Sequence, residues 1–200
     1  NAIQTSGYIM STSTINLSDL NGTNGFTING IDADDISGRS VSSAGDVNGD
    51  GIDDLIIGAD GANPDGKSGA GESYVVYGSD TRSAAALDLS DLNGTNGFII
   101  NGIDASDYSG WSVSSAGDVN GDGFDDLIIG AYGANPDGNS FAGESYVVYG
   151  SDTRSASELN LSNLNGTNGF QINGTDSNDS SGLSVSSAGD VNGDGIDDLI

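Results

Sequence analysis

The string DVNGDGIDDLI occupies Asp46 to Ile56, returns as DVNGDGFDDLI from Asp118 to Ile128, and returns once more from Asp190 to Ile200. The spacing is 72 residues each time, and whole copies follow it: LNGTNGFTINGID begins at Leu20, LNGTNGFIINGID at Leu92 and LNGTNGFQINGTD at Leu164. A repeat of this length is one supersecondary unit that cannot bury its apolar face alone and must stack on its neighbours. Counted from the LNGTNG string, the copies run 20–91, 92–163 and 164–200, the last incomplete, behind an N-terminal segment 1–19. No linker composition separates them.

Within a copy the signals are β throughout. GFTING from Gly25, SVSSAG from Ser40, DDLIIGA from Asp53 and ESYVVYG from Glu72 are short runs rich in Val, Ile, Tyr and Phe, each bounded by Gly, Asn, Asp or Ser. The LIIG run is apolar without alternation, which fits a strand covered on both faces, and the glycines leave no room for a helix. ANPDGKSGAG from Ala62 reads as a turn, with Pro64 and Gly66 at turn positions, followed by a mobile loop. Tyr74, Tyr77, Tyr146 and Tyr149 alternate around paired valines, as in a strand with one packed face. The expected fold is all-β: tandem four-stranded blades of the β-propeller type, in about three repeats.

The 200 residues include 30 Asp and Glu against 4 Lys and Arg, a formal charge of -26, so the compact state works against its own repulsion and calls for a bound positive partner. Arg39, Lys67, Arg82 and Arg154 are too few for nucleic acid or an anionic membrane surface. No apolar run reaches membrane-spanning length, so no membrane insertion is expected. With neither His nor Cys, the Ser-His-Asp and Cys-His nucleophilic schemes are unavailable. Asp34 and Asp35 form a carboxylate pair, but their turn is hydrophilic and shows no sign of the apolar burial that raises the pKa of a glycosidase acid. The chain reads as a non-enzyme.

The repeated acidic string has the chemistry of a cation loop. Asp46, Asn48 and Asp50 alternate along a tight turn, Gly51 permits a sharp bend, the carbonyl of Ile52 can face inward, and Asp54 closes the ring. The counterparts are Asp118, Asn120, Asp122, Phe124 and Asp126, then Asp190, Asn192, Asp194, Ile196 and Asp198. An all-oxygen, anionic donor set suits Ca²⁺, whereas Zn²⁺ favours His or Cys and Mg²⁺ demands stricter octahedral geometry. An EF-hand is excluded at the twelfth position, where Ile57 and Ile129 stand in place of a bidentate Glu. The alternative is a set of Asp/Asn/Gly turns that cap their own backbone. The eighth-position carboxylates, Asp53, Asp125 and Asp197, are assigned to solvent. A second acidic cluster, GIDADDISG from Gly30 with Asp104 and Asp107 or Asp176 and Asp179 as its equivalents, makes at most half a metal site. The Asn-Gly-Thr strings at Asn21, Asn93 and Asn165 are glycosylation sequons that read first as turns. Trp111, which replaces Arg39 and Leu183 of the other copies, is a blade-packing residue before it is a ligand platform.

The stretch SGRSVSSAGDVNGDGIDDLIIGADGA followed by GESYVVYG resembles the FG-GAP repeat of integrin α-subunit propellers and bacterial surface proteins, and the resemblance runs from Leu20 onward. It departs from that pattern where Ser37, Ser109 and Ser181 replace a phenylalanine and where Asp60 and Tyr132 replace a proline, leaving the cation loop whole. The resemblance implies a propeller blade with Ca²⁺ in a hairpin loop between its first two strands, and a role in adhesion without catalysis. The expected function is that of a calcium-binding, extracellular or cell-surface structural and adhesive protein; the alternative is a module that recognises a glycan or protein through its propeller loops. The third copy ends before an ESYVVYG string, while GYIMSTS from Gly7 has the pattern of a spare outer strand. That pair of features fits a window on a longer tandem chain with further repeats, with strand exchange between molecules into a ring or filament as the other reading.

Overall fold

The computed structural model describes Thr14 and residues 16–200, so the GYIMSTS segment lies outside the described residues. The fold is all-β, with only short 3-10 turns such as Leu17–Asp19 and Pro64–Gly66 among the described residues. The first copy forms β1 (Thr27–Asn29), β2 (Ser40–Gly45), β3 (Asp54–Ala59), β4 (Glu72–Val76) and β5 (Ala86–Asp88). One period later come β6 (Gly97–Asn101), β7 (Ser112–Gly117), β8 (Asp126–Ala131), β9 (Glu144–Val148) and β10 (Glu158–Asn160). The third copy contributes β11 (Gly169–Asn173), β12 (Ser187–Gly189) and β13 (Asp198–Leu199).

All four strand types expected from the sequence form, and their pairing shows how copies are joined. β2, β3 and β4 make an antiparallel meander, and the fourth strand of that sheet is β6, from the next copy, with Glu72 opposite Asn101 and Val76 opposite Gly97. The second blade repeats this with β7, β8, β9 and β11. A 72-residue period sets the length of a unit and leaves its starting point open; hydrogen bonding closes the blades over 40–101 and 112–173. The connecting segments add a second lacing. β5 runs parallel to β1, β10 runs parallel to β6, and Asn101 Nδ2 donates to Asn160 Oδ1 at 3.0 Å. Each linker thereby covers the outer edge of the blade behind it, an edge that would otherwise present unpaired amides.

Stacking explains the continuous apolar runs. Tyr74, Val75 and Val76 in β4 are all buried, so both faces of the strand are packed rather than the one face that its tyrosine spacing implied. One cluster joins Ile56, Val75 and Phe98 of the first blade to Val113, Leu127 and Ile129 of the second. Each such side chain contributes about 1.5–3 kcal/mol on full burial. The loop after β3, expected to be mobile, is laced: Asn63 Oδ1 accepts the Gly69 N–H at 2.8 Å, the Gly71 N–H donates to the Ala62 carbonyl at 3.0 Å, and Pro64 and Ala70 are buried. The Asn-Gly-Thr strings are turns, as read. Asn93 Oδ1 accepts the Thr95 N–H at 3.0 Å and its hydroxyl at 2.6 Å, and Asn165 does the same for Thr167.

Candidate cation loops

Each acidic string is the hairpin loop between the first two strands of a blade. The β2–β3 pairing shifts register between Ser43 and Gly45, and Gly45 has φ +72°. Such a bulge bends the strand and launches Asp46 out of the ladder. Asp46 is then the hub. Its Oδ1 accepts the N–H groups of Gly49 at 2.8 Å and Asp50 at 3.0 Å, and its Oδ2 accepts that of Gly51 at 2.9 Å. Asn48 Oδ1 accepts the Asp50 N–H at 2.8 Å, and Asp50 Oδ1 accepts the Ile52 N–H at 2.9 Å. Asp54 closes the loop: Oδ2 accepts the Val47 N–H at 3.1 Å and Oδ1 accepts the Gly78 N–H at 2.8 Å, tying loop, β3 and the end of β4 together.

The second loop reproduces this set around Asp118, with Asn120, Asp122 and Asp126 in the same roles. The third does so around Asp190 except at Asp198, whose Oδ2 accepts the Val191 N–H at 2.9 Å while its Oδ1 accepts from Asn192 Nδ2 at 3.3 Å. The seventh-position residues keep their side chains out of the loop interior: Ile52 lies against Gly78, and Phe124 against Gly49 of the blade before it. Asp54 and Asp126 are buried, and burial foremost, with the neighbouring Asp50 and Asp46 or Asp122 and Asp118 charges, pushes both carboxyls up to about 7 against the pull of their backbone donors. Exposed Asp190 moves the other way, held down by the backbone N–H of Gly195 first.

Among the described residues, no three His, Cys, Asp or Glu side chains converge into a closed metal cluster. The loop carboxylates serve the loop's own N–H groups, as the turn alternative expects. Their chemistry still fits a hard cation. A carboxylate offers about four lone-pair positions, so Asp46, Asp50 and Asp54 retain acceptor capacity after these bonds. The donors are oxygens only, on a loop that bends at Gly49 and Gly51 with φ +76° and +86°.

Two further expectations change. Asp53 is exposed, but Asp125 and Asp197 are not given over to solvent: Asp125 Oδ2 accepts the Asp46 N–H at 2.8 Å, and Asp197 Oδ2 accepts the Asp118 N–H at 3.1 Å. Each reaches the preceding blade, 79 residues back, and no local pattern signals such a partner. The second acidic cluster is a turn cap, with Asp35, Asp107 and Asp179 each accepting the N–H three residues earlier. Asp35 is also buried, contrary to the solvated reading of the Asp34–Asp35 pair, and burial raises its carboxyl.

At the opposite ends of the strands, Arg39 Nε lies 3.0 Å from Asp60 Oδ1 and its guanidinium stands 4.0 Å over the Trp111 ring. Trp111 meets Tyr132 edge-on at 4.6 Å, and Tyr132 stacks on Tyr108 at 5.4 Å. Trp111 is therefore a packing residue between blades, half-buried and in contact with both.

The FG-GAP repeat family matches residues 37–76 and 109–148. Integrin alpha-PS2 of Drosophila melanogaster is 34% identical over 131 residues, covering 63% of this chain and 8% of that protein. Phosphatidylinositol-glycan-specific phospholipase D is 36% identical over 111 residues in Mus musculus and 35% over 114 in Homo sapiens; each match spans 13% of the phospholipase. The chain thus corresponds to a small part of the length of each relative.

Proposed function

We propose that the chain, which carries two FG-GAP repeats at residues 37–76 and 109–148, is a calcium-binding, extracellular propeller segment with a structural and adhesive role, and that it has no catalytic activity of its own. One observation carries this reading: the same hydrogen-bonded acidic loop recurs at the same hairpin in all three copies of a chain with charge -26. In each loop Asp46, Asn48, Asp50 and Asp54, or their counterparts, with the carbonyl of Ile52, Phe124 or Ile196, would hold Ca²⁺. The cation would supply positive charge to carboxylates that repel one another, and by binding the native state alone would stabilise it. Loops of this type in extracellular modules bind at about 10⁻⁴ to 10⁻³ M, which is useful where calcium is millimolar. No described helix is long and apolar enough to cross a membrane.

The partners of such a segment are further blades, from the same chain or a second copy. Val113 is 5% exposed where the second blade packs on the first, whereas its counterpart Val41 is 65% exposed. The face around Val41, with Ile28, Leu55 and Ile57, therefore matches a surface already used between blades. The test of the cation reading is a melting curve in millimolar Ca²⁺ against one in excess EDTA: calcium raises the melting temperature, and superimposed curves overturn the proposal.

A specific observation favours recognition of a protein or glycan through the loops as a second reading. The matched copies differ at Arg39/Trp111, Ile52/Phe124, Asp60/Tyr132, Lys67/Asn139 and Gly69/Phe141, and all but the Ile52/Phe124 pair lie at the strand ends opposite the cation loops. A soluble partner captured by the chain and lost on Trp111→Ala, with calcium affinity intact, supports this reading over a purely structural one.

A further inference from the structure

We infer that Asp125 and Asp197 are positioning residues that shape the cation loop of the preceding blade, so that calcium binding in one loop and the docking of the next blade are a single linked event. This rests on the calcium reading of the loops and extends it to residues outside the donor set.

The contact is two-sided. Asp125 Oδ2 accepts the Asp46 N–H at 2.8 Å, and the Asp125 N–H donates back to the Asp46 carbonyl at 3.2 Å. Both backbone groups of the hub aspartate are thus held by one residue of the neighbouring blade. The next residue is held as well, since the Ser151 N–H donates to the Val47 carbonyl at 2.8 Å. The wall is closed sterically: a Cβ on Gly45 would stand 2.2 Å from Asp125 Oδ2, and one on Gly49 would stand 2.3 Å from Phe124 Cε1. The arrangement recurs one period later. Asp197 Oδ2 accepts the Asp118 N–H, the Asp197 N–H returns to the Asp118 carbonyl at 3.4 Å, and a Cβ on Gly117 would stand 2.1 Å from Asp197 Oδ2.

Asp46 Oδ1 and Oδ2 are aimed by three N–H groups of their own loop, and the backbone that carries this carboxylate is aimed by Asp125. Groups that orient a metal ligand from outside the coordination sphere typically account for 10–100-fold in affinity. The Asp125 bond exists only with the blades docked, so a docked pair binds the cation more tightly, and by linkage a loaded loop tightens the junction by the same factor. Asp125 also brings its own negative charge toward the loop, a repulsion that a bound cation relieves.

The test uses the 200-residue chain and Ca²⁺ alone, titrated by calorimetry, with hydrogen exchange at the Asp46 and Ser151 amides as a second readout. Asp125→Ala is expected to keep the number of sites and to weaken one by about 10-fold. Asp125→Asn, which keeps an acceptor oxygen, recovers most of that loss, and Asp53→Ala leaves the titration unchanged. In the wild type Ca²⁺ slows exchange at both amides, and in Asp125→Ala it does not. Unchanged affinity in Asp125→Ala, or an equal loss in Asp125→Asn, overturns the positioning role while the cation reading stands. A wild-type chain that takes up no Ca²⁺ overturns the cation reading itself.

Discussion

Gly58 of the first blade and Gly110, on the approach to the second, are in backbone contact. A Cβ on Gly58 would stand 1.9 Å from the Gly110 carbonyl oxygen, and Gly130 meets Gly182 at the same 1.9 Å. These glycines are required by proximity, because blades stacked this closely have room for main chain only. Gly58→Ala is expected to cost about 3 kcal/mol through forced separation of the blades. Gly66→Ala, which meets open space at φ +76°, costs about 1 kcal/mol from its left-handed backbone alone. Urea unfolding of the two variants checks the order; equal losses would mean that the contact carries no weight.

The Tyr146 hydroxyl donates to the buried Glu144 carboxylate, as Tyr74 does to Glu72 at 2.5 Å. Removing the donor leaves a buried acceptor without its partner. Tyr146→Phe should lose about 2 kcal/mol at pH 7, and the same change beside Glu144→Gln should lose clearly less. A double-mutant cycle by chemical denaturation measures the difference, and additive losses would deny the pairing its role.

Asp107 sets a pH dependence. Burial, only partly offset by the Asp104 N–H, raises its carboxyl to about 6, whereas an unfolded aspartate ionises near 3.9. Between those values the folded state holds a proton that the unfolded state has lost. The stability from this group is full below about pH 4 and is lost as pH rises through 6. Asp107→Asn keeps an acceptor for Asp104 and stays neutral. Its melting temperature should therefore exceed the wild type's at pH 7 by more than at pH 4, at one fixed calcium concentration. A difference independent of pH would show that folding does not raise the Asp107 carboxyl above its unfolded value.

The same junction carries different residues in the two copies. Gly69 faces Tyr108, with its would-be Cβ 3.2 Å from the ring, while one period later Phe141 meets Ser180; the backbone bond from the second residue to the first is kept in both, at 3.0 and 2.9 Å. Gly69→Phe alone should cost more than about 2 kcal/mol by overpacking, and Tyr108→Ser in the same chain should restore much of it. Thermal unfolding of the single and double variants reads the coupling, and a double variant no better than the sum rejects size matching.

The strands were legible because β-branched and aromatic runs between Gly and Asn clusters carry that signal locally, as DLIIGA and ESYVV show, whereas the hairpin position of the acidic loops came from the FG-GAP resemblance. What the sequence withheld is non-local. That β6 closes the first blade depends on pairing between Glu72 and Asn101, and a periodic string looks alike from any starting point. Asp125 is one polar residue among several in its loop, and its role comes from a neighbour 79 positions away. The burial of Asp35 is similarly invisible in an acidic string, because the cover arrives from elsewhere in the fold.

If the three acidic loops hold calcium as proposed, their number fixes the stoichiometry. Equilibrium dialysis of the 200-residue chain against Ca²⁺ measures it directly. Saturation at three ions per chain, and at two in Asp50→Ala, is the expected result; binding no greater than that of a chain with Asp46, Asp118 and Asp190 all replaced by alanine would rule calcium out of the loops.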